Sequence, residues 1–66
     1  MRIMLNGTEI ELHDEVTVAG LLEQKGLPAN KVVVEVNNII IERDEFGEKQ
    51  LGEGDKVEIL RFVGGG

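Results

Sequence analysis

A chain of 66 residues with a formal net charge of −6 has room for one small domain, which buries only ~60% of the surface its unfolded chain exposes. With no cysteine and only Phe46 and Phe62 as aromatics, no disulfide or thiolate zinc cluster supports the core, which must rest on Val, Ile, Leu and Met. The acidic balance excludes a nucleic-acid binder, which needs Lys and Arg against phosphates, and suits docking to basic protein surfaces.

Met1, Ile3 and Leu5 alternate with Arg2, Met4 and Asn6, the period of a half-buried strand. Asn6-Gly7 is a hairpin turn signal because both residues tolerate positive φ. Ile10 and Leu12, alternating with Glu9 and Glu11, give the returning strand. Thr17 is placed to cap a helix starting at Val18, with Val16 and Leu21 at hydrophobic-staple spacing. Val18, Leu21 and Leu22 form its apolar stripe, Gly26 stops it, and Pro28 prevents resumption. Gly20 costs that helix ~1 kcal/mol against Ala, so the helix depends on packing.

Lys31 to Val36 is rich in β-branched residues and reads as a well-buried strand. Asn37-Asn38 marks a tight turn into a short strand, Ile39 to Ile41. Glu42 to Gly54 is polar and Gly-punctuated, a long loop with Phe46 and Leu51 as anchors beneath it. Lys56 to Val63 is the last strand, followed by Gly64-Gly65-Gly66. The expected organisation is therefore a domain over 1–63 and a flexible glycine tail over 64–66. A hairpin that crosses through one helix to further strands predicts an α+β fold, a mixed sheet of four to five strands with the helix across one face. This order resembles the β-grasp arrangement of ubiquitin-like proteins. Alternation places Val57 and Ile59 inward with Ile3, Leu5, Ile10, Leu12, Leu21, Leu22 and Val34. It turns Glu58, Leu60 and Phe62 outward as a candidate partner-docking surface, unless a loop or the helix covers them.

No apolar stretch approaches the ~20 residues of a membrane span. Met1 to Glu11 also lacks the apolar block of a secretion leader. A soluble, cytoplasmic protein without membrane or nucleic-acid partners is expected. Side-chain chemistry is sparse. His13, beside Asp14 and Glu15, is a lone loop histidine and reads better as solvated than as a general base. The run Glu42, Arg43, Asp44, Glu45 lacks the ligand spacing of a calcium loop and reads as a solvated turn. No Gly-rich loop precedes a helix as a phosphate cradle requires. No metal site, resident cofactor or stand-alone enzyme is expected.

The glycine end is different. Without Cβ atoms, it can lie in a narrow channel and adopt dihedrals closed to other residues. The five residues from Phe62 to Gly66 can extend ~17 Å, enough to put a carboxylate inside another protein's active site. A free carboxylate is a poor acyl electrophile and needs activation, for which an acyl-adenylate is the expected form; attack by sulfur then yields a thiocarboxylate. The bland alternative is a disordered end or an expression remnant.

Along nearly its whole length the chain resembles the sulfur-carrier proteins of thiamin thiazole biosynthesis, the ThiS family. The resemblance rests on MRIMLNG (Met1 to Gly7), TVAGLL (Thr17 to Leu22), VVVEVNN (Val32 to Asn38) and, most specifically, GDKVEILRFVGGG (Gly54 to Gly66). It implies a carrier, itself a protein co-substrate, whose terminal glycine is adenylated by an ATP-dependent activating enzyme. The ATP belongs to that partner. A sulfur donor system then supplies the sulfur, and a thiazole synthase accepts it. By the family pattern Gly65 and Gly66 are the functional pair, with Gly66 carrying the sulfur and Gly64 an extra glycine of the threading tail. Two alternatives stay open: the small subunit of molybdopterin synthase, usually somewhat longer, and a non-covalent ubiquitin-like interaction module.

Overall fold

The computed structural model describes residues 1–13 and 15–62. The expected tail 64–66, the end of the expected last strand at Val63, and Asp14 lie outside the described residues. Strands β1 (Arg2–Leu5) and β2 (Thr8–Glu11) form the first hairpin, followed by helix α1 (Val18–Lys25). Strands β3 (Val32–Val36), β4 (Ile39–Ile41) and β5 (Lys56–Arg61) complete the chain, with short 3-10 turns at Ala29–Lys31 and Arg43–Glu45. Among the described residues the strands form one sheet of order β2-β1-β5-β3-β4. The central β1–β5 pair is parallel, and its neighbours on both sides are antiparallel. The mixed sheet with one helix is thus as the sequence predicts.

Both hairpins turn on residues in the left-handed region. Asn6 and Gly7 have φ of 50° and 83°, and Asn37 and Asn38 have 52° and 69°. Positive φ at both central positions matches the right-handed twist of the flanking strands, which explains the Asn and Gly at these sites. The second turn tightens β3 against β4 with Val36 opposite Ile39.

Helix α1 begins and ends as expected. The Thr17 hydroxyl accepts from Gly20 N at 3.1 Å, and Gly26 ends the helix at φ 68°. Two further free N–H groups of its first turn go to the long loop: Val18 N donates to Lys49 O and Ala19 N to Phe46 O, each at 2.9 Å. Leu51 N donates to Val16 O at 2.9 Å. The loop is therefore a fixed cap on the helix start, held there by buried Phe46 and Leu51. An eight-residue helix is marginal alone, and this cap and its apolar stripe stabilise it.

The helix lies over one sheet face. Val18, Leu21 and Leu22 pack there with Ile3, Leu12, Val32, Val34, Val36, Val57 and Ile59, and Leu5 and Ile10 lie partly buried at the margin. Val33 and Glu35 are only half-buried, so β3 buries one face rather than the two a run of valines suggests. Lys31 belongs to the preceding 3-10 turn, its N–H bonded to Pro28 O at 3.1 Å, so β3 starts one residue later than expected.

Candidate functional site

The opposite sheet face is open. Leu60 and Phe62 are 64% and 52% exposed and Glu58 is half-exposed; among the described residues neither the loop nor the helix covers them. Their placement follows from register. Val57 and Ile59 point into the core, so the alternate residues of β5 face outward. Leu60 pairs with Val33 and Glu58 with Glu35 across β3, and Ile40 stands opposite Glu35 on β4. Phe62 N donates to Lys31 O at 3.0 Å, which continues the ladder past the end of β5 toward residue 63.

The face is therefore wider than β5 alone indicates. Val33, Glu35 and Ile40, the last 59% exposed, join Glu58, Leu60 and Phe62. The alternation of VVVEV carried the signal for Val33 and Glu35, but a run of β-branched residues also fits burial on both faces. Ile40 becomes legible only once its register against Glu35 is known.

Side-chain hydrogen bonds hold β5 in place. Asn6 brackets Ile59: its Oδ1 accepts from Ile59 N at 2.8 Å, and its Nδ2 donates to Ile59 O at 3.2 Å. Asn37 does similar work at the strand's start, where its Oδ1 accepts from Lys56 N at 2.9 Å and its Nδ2 donates to Asp55 Oδ1 at 3.1 Å. Asp55 Oδ2 accepts from Gly52 N at 2.8 Å. These bonds seat the start and the middle of β5 against the two hairpin turns.

His13 is exposed, and so are Glu42, Arg43, Asp44 and Glu45. Among the described residues no group of three or more His, Cys, Asp or Glu gathers as a metal site. Nor is any helix there long and apolar enough to cross a membrane. The glycine-tail residues Gly64, Gly65 and Gly66 lie outside the described residues.

A five-stranded mixed sheet gripping a single helix, with its central strand running toward a glycine end, defines a ubiquitin-like β-grasp protein. The crystal structure of the thiamine biosynthesis protein ThiS from Geobacter metallireducens superposes with a TM-score of 0.86 at 33% identity, covering all of both chains. The sulfur carrier protein ThiS of Bacillus subtilis is 37% identical over 97% of this chain and 98% of its own length. Thiazole synthases from Paramagnetospirillum magneticum and Magnetococcus marinus are 36% and 38% identical over the whole chain. The chain spans only 20% of the length of each of them. The ThiS family profile matches residues 3–66, and the chain belongs to the ThiS family.

Proposed function

We propose that this protein is a sulfur carrier for thiamin biosynthesis, with Gly66 as the acyl group that bears the sulfur. The observation that carries the reading is the family match, which runs through the glycine end to residue 66. The fold supports it. The strand leading to those glycines is bonded on both sides into the sheet and exposes Leu60 and Phe62 just before them. A partner that grips this face has the glycine end beginning two residues beyond Phe62.

The chemistry follows from the carboxylate's poor electrophilicity. The Gly66 carboxylate attacks the α-phosphorus of ATP held by an activating enzyme, forming an acyl-adenylate and releasing pyrophosphate. Sulfide-level sulfur, delivered as hydrosulfide by a donor system, attacks the acyl carbon, AMP leaves with the acyl–oxygen bond broken, and a thiocarboxylate remains. A thiazole synthase then takes the sulfur. The carrier contributes an unhindered acyl group and a docking face, and the catalytic side chains belong to its partners. Gly64 and Gly65 serve as a thread narrow enough for a channel sized to backbone.

The test incubates the protein with its activating enzyme, ATP and a sulfur source and measures intact mass. The expected product gains the mass difference of one oxygen replaced by sulfur, localised to the last peptide. A competent activating enzyme that yields neither adenylate nor thiocarboxylate at Gly66 would leave the non-covalent interaction module as the better reading.

A further inference from the structure

Glu35 and Glu58 are register partners across β3 and β5. Each stands between two buried residues of its own strand, Val34 and Val36 or Val57 and Ile59, so both side chains lie on the open face. Asn37 N donates to Lys56 O at 2.7 Å, and Phe62 N donates to Lys31 O at 3.0 Å. The alternation of an antiparallel ladder then makes Glu35–Glu58 a hydrogen-bonded pair as well, with Cα atoms ~5.5 Å apart. Like charges directly opposite on one face are destabilising. The ion pairs found among the described residues are made by Arg2 with Glu9 and Glu11, at the β1–β2 edge of the sheet. Neither central glutamate is offset by them.

Apolar groups border this pair on the Phe62 side, while on the other side the next pair of the same face is Asn37 and Lys56, and Lys56 is in neither of the Arg2 ion pairs. The Val33–Leu60 pair lies next to it in the direction of Phe62, and Ile40 borders Glu35 on the other strand. With one lysine at its edge for two carboxylates, the pair keeps an excess of negative charge beside an exposed apolar surface, and a cation that arrives there relieves it. We propose that this face receives a partner surface that lays one arginine across Glu35 and Glu58 while apolar side chains cover Val33, Ile40 and Leu60. Arginine fits better than lysine. Its planar guanidinium presents several donors to two carboxylates at once, and it is less strongly hydrated, so it enters an apolar surround at lower cost. The net charge of −6 adds long-range attraction for such a basic surface. The partner is the thiazole synthase; this choice rests on the carrier reading above, while the paired carboxylates are a property of the fold.

The experiment titrates the unloaded carrier into the thiazole synthase of the same organism by calorimetry, at two salt concentrations. The wild type is compared with Glu35→Gln, Glu58→Gln and the double variant. Glutamine keeps the shape of the side chain and removes the charge. Each single variant is expected to weaken binding by about tenfold or more, the scale of a lost charge-assisted contact, and to flatten the salt dependence. Each is also expected to raise the melting temperature of the free carrier by a few degrees, because the repulsion is gone. A purely structural role would lower the melting temperature and leave the affinity alone. Gln variants that bind as the wild type does overturn the proposal, and so does a wild-type carrier that fails to bind. A dimer of the free carrier in sedimentation that Leu60→Glu disperses would assign the face to a second copy and overturn it too. Normal sulfur loading with Gln-insensitive binding removes this inference alone. Gln-sensitive binding without any thiocarboxylate removes the carrier reading alone.

Discussion

Asn6 and Ile59, 53 positions apart in sequence, exchange two hydrogen bonds in which a side-chain amide takes the place of a strand backbone. The residue that turns the first hairpin therefore also seats the strand leading to the glycines. Asn6→Gly keeps the positive φ and loses both bonds, for an expected cost of about 1–3 kcal/mol. Asn6→Ala adds the strain of a Cβ in the left-handed region, a further ~1–2 kcal/mol. Urea unfolding should rank wild type above Gly above Ala. If Asn6→Gly matches the wild type, the bracket contributes nothing to stability.

The core predicts a second ordering. Ile59 is 7% exposed and Phe46 4% exposed, the first beneath the helix and the second anchoring the loop that caps it. Ile59→Ala should cost about 2–5 kcal/mol and Phe46→Ala about 3–5 kcal/mol. A domain of this kind has only about 5–15 kcal/mol in all. Ile59→Ala should be largely unfolded at ambient temperature. Phe46→Ala should in addition lose protection of the Val18 and Ala19 amides in hydrogen exchange, since their acceptors Phe46 O and Lys49 O move with the loop. A folded Ile59→Ala with a near-native melting curve would mean that the strand register is wrong.

Local chemistry made much of this fold legible in advance. Asn-Gly and Asn-Asn dictate their turns, Thr17 and Gly26 bound the helix, and alternation sorts β5 into an inward Val57 and Ile59 and an outward Leu60. What stayed hidden depends on partners distant in sequence. A backbone carbonyl at Lys49 that satisfies Val18 N carries no side-chain signal. The amide of Asn6 is spoken for by its turn role, so its reach to Ile59 is invisible. The open face was read from β5 alone, and its extension to Val33, Glu35 and Ile40 required the pairing of three strands. The glycine end, Gly64 to Gly66, was legible from composition and position alone.

The open face should be separable from the fold. Leu60 is 64% exposed, so Leu60→Glu should change stability by no more than about 1 kcal/mol. The same change places a third carboxylate beside Glu58 and removes an apolar contact. Binding to the activating enzyme and to the thiazole synthase should weaken by about tenfold or more. Phe62→Glu should do likewise. Unchanged affinity for both partners would take this face out of the mechanism.

The glycines carry the functional claim, and their substitution should separate chemistry from folding completely. Among the described residues the buried core runs from Ile3 to Ile59, so deleting Gly66 or appending an alanine after it is expected to leave those core contacts in place. Melting temperatures should stay within a degree or two of the wild type. Sulfur loading should vanish in both, because one variant lacks the acyl group at the required reach and the other displaces the carboxylate by a residue with a Cβ. Gly65→Val tests the thread itself: a β-branched side chain restricts the backbone and widens it, so adenylation should fall steeply while the Gly66 carboxylate remains. Binding to the activating enzyme, measured without ATP, should persist in all three, since the sheet face is intact. Intact mass after incubation with enzyme, ATP and sulfur source reads the outcome. Loading of the Gly66 deletion at the wild-type rate would place the acyl chemistry elsewhere and end the carrier mechanism as drawn.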